Sequence, residues 1–336
     1  MKLFKKLGFV ALLVTFITVL TGCGSLDNAV SADFIPNDGS NIQSVGLILP
    51  QMEAPFFIGV EAQIREKLES EGIRVETATS DNNLTTQLEV LENFGKMGLD
   101  GVIIFPLGGS DVSDTLQGLR AQGMRVISIV NPQESGFDGS IMTSADEIGT
   151  TMAQMAAEWI DATFPDAAPG SIEVGLLTNR VSPDSIAVSE GMAQITDFTD
   201  KATIVADYEA TFADGEVRVA ENTEMLLTAF PNVKVVMAFN HALAVDEVVL
   251  RTSGINLDEF AVFSDPFEPA VEGRIRISPD NQSVIRGITM AGDRGRWDHA
   301  VDAMLGRLEF NNEGIYWNPI FGVTADNINE LVGNGN

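Results

Sequence analysis

The chain has 336 residues with one cysteine and two histidines, and its 48 acidic against 20 basic side chains give a formal charge of −28. So acidic a surface repels phosphate backbones and anionic headgroups, which argues against nucleic-acid binding. A hydrophobic content of 45% excludes a disordered chain, and a lone cysteine excludes an internal disulfide and a thiolate zinc site.

At the N-terminus, Lys2, Lys5 and Lys6 precede an apolar run from Leu7 to Leu20, broken by Thr15 and Thr18 and closed by Leu20-Thr21-Gly22-Cys23. Basic head, short apolar core and small residues are the order of an export signal. Fourteen helical residues reach only about 21 Å, short of the ~30 Å that a span must cross. The tetrapeptide resembles a bacterial lipobox, in which Cys23 becomes the lipidated first residue of the mature chain. The alternative is an ordinary signal peptide with a chance cysteine. Loss of residues 1–22 removes three lysines and no acid, taking the charge from −28 to −31. Residues 23–42, rich in Ser, Asn, Asp, Gly and Pro, read as a flexible tether. The roughly 290 residues beyond exceed what one core usually fills, so two domains are expected.

From Gln43 onward, short apolar runs alternate with amphipathic stretches. Ser44–Leu49 reads as a strand closed by Pro50. Pro55 suits a first helical turn, and Phe57, Val60, Ile64 and Leu68 keep helical spacing until Gly72. Strand 73–77, helix 84–97, strand 102–105, helix 112–122 and strand 126–130 follow. The rhythm then repeats with helix 147–164, strand 172–177, helix 185–197 and strand 202–206. Helix 216–230, strand 233–239, helix 243–253 and strand 260–263 complete it. Short apolar strands joined by helices imply parallel sheets covered on both faces: an α/β protein of two doubly wound, Rossmann-like lobes.

Several of these strand ends carry a resemblance. Val45-Gly-Leu-Ile-Leu-Pro-Gln-Met-Glu-Ala-Pro-Phe-Phe57 is similar to the opening of ribose- and galactose-type periplasmic binding proteins, which have Asn-Pro-Phe-Phe at a helix start. Ser80–Asn83, Gly101–Pro106, Val126–Asn131, Val235–Asn240, Ala261–Asp265 and Gly322–Asn327 fall where that family places later strand ends and its tail. The resemblance implies a type I periplasmic binding protein fold, two lobes joined by three hinge strands around a ligand cleft. Crossings are expected near Thr143–Ser144, Met290–Ala291 and Ile320–Gly322. One lobe then comprises 43–143 plus 291–320, the other 144–290 plus 321–336. Ligands of open parallel sheets bind outside the carboxyl ends of strands, which points to the same cleft.

Candidate ligand-binding residues follow. Phe56 and Phe57 begin a helix at the first strand's end, where an aromatic plate can cover a sugar's C–H face, although one of the two can equally serve the core. Asn240 and Asp265 end strands in the second lobe and offer the donors and acceptors that vicinal hydroxyls need. Asp265-Pro266-Phe267-Glu268 also has the form of a helix N-cap. Ser144, in Ser-x-x-Glu147, carries the same ambiguity. His241 can donate to a ligand oxygen or simply begin a helix. His299 reads as a helix-surface residue. Departures from the family also matter: Ala54 replaces the asparagine before Pro-Phe-Phe, and Asn131 or Val130 stands where the fourth strand usually ends in Asp or Asn. Val188 stands near the usual arginine, Met290 near a hinge glutamine and Phe105 at a commonly polar position. The expected pocket is therefore less polar and more aromatic than that of a pentose binder.

No cofactor is implied, and the histidines are too far apart in sequence to suggest a metal site. The expected function is an extracytoplasmic, lipid-anchored, monomeric receptor that captures a monosaccharide or related polyhydroxyl solute for an ABC permease, without catalysis. Two alternatives stay open: a nucleoside-like solute, and a ligand-sensing subunit for a membrane sensor. A transcription regulator is disfavoured by the export signal, the acidity and the lack of a basic helix-turn-helix before Gln43.

Overall fold

The computed structural model describes residues 37–53, 55–108, 110–129, 136–210, 215–266, 269–292 and 297–333, with only the backbone described at 55, 56, 110, 111 and 269. The export signal, Cys23, most of the tether, Asn131 and the Phe56 side chain therefore lie outside the described residues.

The first series runs β1 (Ser44–Leu49), α1 (Pro55–Ser70), β2 (Arg74–Thr79), α2 (Leu84–Met97), β3 (Gly101–Ile104), α3 (Ser110–Ala121), β4 (Arg125–Ile129) and β5 (Gly139–Thr143). The second runs α4 (Ala145–Thr163), β6 (Ile172–Thr178), α5 (Pro183–Ala193), α6 (Ile195–Phe198), β7 (Ala202–Glu209), α7 (Gly215–Ala229), β8 (Val235–Phe239), α8 (Ala242–Arg251), β9 (Ala261–Asp265), α9 (Pro269–Ile277) and β10 (Ile285–Ala291). The tail adds α10 (Asp298–Met304), β11 (Ile315–Asn318), β12 (Ile320–Thr324) and α11 (Ile328–Leu331).

These strands form two six-stranded sheets, β11-β5-β4-β3-β1-β2 and β12-β10-β9-β8-β6-β7. All pairs in the first are parallel, and in the second only β12 runs antiparallel, against β10. Alternate residues serve opposite faces. Val45, Leu47 and Leu49 pack toward α1 and α10, while Ile48 packs with Leu91 and Phe94 of α2. Between them, a Cβ at Gly46 would sit 2.3 Å from the Phe94 ring. Gly175 in β6 leaves the same room for Leu226, where a Cβ would also approach to 2.3 Å. The equivalent strand of each sheet, second from one edge, thus takes one bulky helix side chain against bare backbone.

The chain passes from the first sheet to the second at Ser144, returns between β10 and α10, and passes again at Pro319 between β11 and β12. The third passage precedes the expected Ile320–Gly322, because Ile320 already pairs with Ala291 in the second sheet. Gly292 N–H donates to Pro319 O at 2.7 Å, tying the second and third passages together. The sequence marks β5, β10 and β12 only as crossings and gives no sign of β11, which carries polar Asn318 and a half-exposed Trp317.

Helix α8 is anchored through Asp246, whose side chain is fully buried. Its Oδ1 accepts from Ser283 Oγ at 2.9 Å and Val284 N at 2.7 Å, while Oδ2 faces Arg274 Nη1 at 3.2 Å. Burial raises the carboxyl above its ordinary range and outweighs these stabilising partners. An acid raised in the folded state holds more protons folded than unfolded, so its stability contribution is present below the unfolded value near ~3.9 and declines as pH rises to the folded value. The wild type is therefore expected to lose stability relative to Asp246→Asn across that window, by at most about 1.4 kcal/mol per pH unit, in paired urea melts from pH 4 to 7.

Candidate functional site

In each sheet the strand order reverses beside the first strand, between β1 and β3 and between β6 and β8. Loops at such a point diverge and leave a crevice at the carboxyl ends of the strands. Phe57 and Phe105 line this edge of the first sheet, and Asn240, His241 and Asp265 line it in the second.

On the first sheet, Phe105 continues β3, its N–H donating to Ile48 O at 2.9 Å. Its ring meets Phe57 edge to face, with centroids 5.6 Å apart and planes at 77°. Both rings are half-buried, with one side against the core of β1, α1 and α10. The loop after β2 is shaped by two left-handed residues, Asp81 at φ 51° and Asn82 at φ 54°. It hands the chain to Asn83, whose side chain caps α2 by accepting from Thr86 N at 3.1 Å.

On the second sheet, β8 ends in another consecutive left-handed pair, Asn240 at φ 67° and His241 at φ 58°. Left-handed backbone is uncommon outside glycine and is most tolerated by Asn, Asp and His. His241 stands at the N-terminal boundary of α8 without a side-chain capping bond, and its Nε2 is buried without a hydrogen-bond partner. Across the ladder, Phe239 pairs with Asp265. The Asp265 carboxylate accepts a short hydrogen bond from Thr289 Oγ1 of β10, a residue fully buried in the sheet. Beyond β6, Thr178 Oγ1 donates to Asp207 Oδ1 at 2.6 Å, and Arg180 Nη2 pairs with Asp207 Oδ2 at 2.6 Å. The hydrogen bond from Arg180 to Asp207 pushes the guanidinium further up.

Two sequence expectations change. Asp265 does not begin a helix, because Pro266 is not helical and α9 spans Pro269–Ile277. Met290 does not join the polar edge: strand alternation turns it to the opposite face, where it packs in the core with Ile288, Val323 and Phe321. Thr289, its neighbour, takes the place beside Asp265. Ser144 does cap α4, accepting from Glu147 N at 3.2 Å. His299 sits 2.7 Å from Asn318 Oδ1 through Nδ1 and packs on Tyr316, beside the third passage. Thr289, Gln87, Arg180 and Asp207 escaped the sequence reading. Of these, only Thr289 had a usable signal, the alternation of β10.

A separate concavity of about 470 Å³, floored by Trp159 and Phe263, lies near the start of β10, away from the strand ends that carry Asp265. On its rim, Asn281 Nδ2 donates to Asp258 and Arg286 Nη2 donates to Asn281. Among the described residues no group of three or more His, Cys, Asp or Glu is placed to hold a metal ion. No described helix is long and apolar enough to cross a membrane.

Two α/β lobes, each with its strand order reversed beside the first strand, have the architecture of a two-lobed periplasmic binding protein. The chain belongs to the periplasmic binding protein domain family, whose model matches residues 45–254. It is 24% identical over 214 residues to the ribose import binding protein RbsB of Bacillus subtilis, covering 63% of this chain and 66% of that protein. An ABC transporter solute-binding protein from Bradyrhizobium sp., solved with bis-tris, superposes with a TM-score of 0.70 at 18% identity, covering 89% of this chain and 87% of that one. A Bacillus halodurans solute-binding protein solved with myo-inositol gives 0.64 at 16% identity over 87% and 97%. One from Agrobacterium radiobacter with D-arabinose gives 0.60 at 18% identity over 85% and 96%.

A purely structural acceptor for Thr289 and a ligand contact make different demands on Asp265. As a contact, Asp265→Ala is expected to weaken a hydroxyl-bearing solute by roughly 1.5–3 kcal/mol, on top of the about 1–3 kcal/mol of stability lost when buried Thr289 loses its acceptor. Calorimetry and thermal melts of that variant check it, and a loss of stability with unchanged affinity would return Asp265 to a purely structural role.

Proposed function

We propose that the chain is an extracytoplasmic lipoprotein that captures a monosaccharide or related polyhydroxyl solute between its lobes and delivers it to an ABC permease. The observation that carries this reading is the placement of complementary groups on the two strand edges. The Phe57–Phe105 pair offers an apolar plate for a ring face, while Asp265, held by Thr289, and Asn240 offer acceptors and donors to hydroxyls. Three of the relatives support the solute class, one named for ribose and two solved with D-arabinose and myo-inositol. Asn131, Ser144 and His241 complete the proposed rim, and Phe56 joins the aromatic side. The lobes, 43–143 with 292–319 and 144–291 with 320–336, close by bending at the three passages, with the solute favouring the closed state by touching both. The phenyl pair also favours a second reading, a nucleoside whose base lies on the rings.

Thermal-shift measurements with D-ribose, D-arabinose, D-allose, myo-inositol and nucleosides separate these readings. A solute at 100 times its Kd is expected to add about 2.7 kcal/mol of stability, and small-angle scattering should show contraction with that solute. A response to nucleosides alone would replace the sugar reading.

The anchor is tested apart from the cleft. Cys23→Ser is expected to move the protein from the membrane fraction to the soluble fraction with solute affinity unchanged, because each buried lipid CH₂ adds about 0.8 kcal/mol of membrane affinity. A wild-type N-terminus without acyl mass would remove the lipid from the proposal.

A further inference from the structure

Gln87 is polar, lies one turn into α2, and is fully buried. A buried primary amide must satisfy its donor and acceptor within the protein, or each costs the free energy of desolvation. Gln87 does so on a single target. Its Nε2 donates to Phe105 O at 3.0 Å, and its Oε1 accepts from Leu107 N at 2.9 Å. The two peptide groups it grips flank Pro106, which has no N–H to offer the sheet. Residues 105–108 have left the β-ladder. Beyond Phe105 N–H, which still donates to Ile48 O, the amide of Gln87 takes over the part of a neighbouring strand. Phe105 is also the residue whose ring stands edge-on to Phe57.

We propose that Gln87 is a positioning residue of the solute site, one that fixes the Phe105–Leu107 backbone and so sets the angle of the Phe105 ring at the cleft. The inference rests on the reading of this edge as the solute site, and it deepens that reading by assigning the aromatic plate's orientation to a side chain that never touches the solute. A residue that only fills the core would act on the whole lobe. Gln87 acts through one loop and one ring.

Two measurements on the full-length chain test it. The first needs no ligand. In Gln87→Met, which keeps the volume and loses both bonds, hydrogen exchange at the Leu107 amide is expected to rise at least about tenfold, while the amides of β1 and β3 keep their protection. Unchanged exchange at Leu107, or an equal rise across the lobe, overturns the proposal. If the methionine variant folds poorly, Gln87→Glu, read at a pH high enough to ionise it, keeps an acceptor for Leu107 N–H and loses the donor to Phe105 O. It should then protect Leu107 while lowering affinity, and Leu107 exposed in that variant counts against the assignment. The second measurement is a double-mutant cycle on D-ribose affinity. Gln87→Met should weaken binding by about tenfold in the wild type and by less than about twofold in a Phe105→Ala background. Equal losses in both backgrounds overturn the coupling through Phe105. A wild type that ignores D-ribose counts against the proposed solute, and the exchange result then decides the role of Gln87 alone.

Discussion

Parallel pairing brings the carboxyl ends of neighbouring strands to one edge of a sheet, and this chain meets that constraint twice. With β1–β3 and β6–β8 as the points where strand order reverses, the loops diverge there whatever their sequence, and a crevice follows from topology alone. What the sequence adds is the furniture of that edge and the passages between the sheets. The passages are short. Ser144 leads from β5 into α4 as the helix cap, and Pro319 stands alone between β11 and β12. The hydrogen bond from Gly292 N–H to Pro319 O ties the second connection to the third.

Polar groups that leave water at these strand ends are held by neighbours, and the neighbours determine where the functional groups sit. Thr289 gives its hydroxyl to Asp265 from the adjacent strand. Ser264 Oγ donates to Ala238 O at 2.7 Å, tying β9 to β8 just before both turn into the cleft. Asp246 ties α8 to Ser283 and Val284, and α8 begins at the left-handed Asn240–His241 corner. An unmade bond at any of these buried groups costs about 1–3 kcal/mol. Loops at the edge of a parallel sheet have no ladder of their own, and side-chain amides, hydroxyls and carboxylates supply the missing geometry.

How much of this was legible in the sequence depends on how local each signal is. The alternation of β1 through β4 and of β6 through β9 was readable, because apolar runs bounded by Gly and Pro report burial on both faces without reference to anything distant. Family resemblance supplied the crossings, but the third was placed one to three residues late. The pairing of Ile320 with Ala291 is a contact across 29 positions that no local pattern records. Met290 was chosen by position along a strand, and the face it occupies depends on the pleat, which turns it inward and Thr289 toward Asp265. Asp265 had every local mark of a cap, yet the strand kept it. Gln87 was invisible for a related reason: on an amphipathic helix a glutamine reads as solvent-facing, and only the tertiary position of the Phe105 loop gives it a buried partner.

On the proposed reading, the division of groups between the two edges has an energetic consequence. Covering about 50 Å² of a ring's apolar face yields on the order of 1.3 kcal/mol, so Phe57 and Phe105 alone hold a solute only weakly. Two hydrogen bonds to a fixed carboxylate contribute roughly 3–6 kcal/mol, and these come from the other sheet. A micromolar Kd corresponds to about 8 kcal/mol, which neither edge supplies by itself. Affinity of that order therefore requires one solute to engage both edges at once, which couples capture to the approach of the two sheets. The aromatic side contributes little selectivity, because any ring has a face. Selectivity then falls to the Asn240–Asp265 side, where a missing or misplaced hydroxyl would forgo a bond to the carboxylate that Thr289 holds in place.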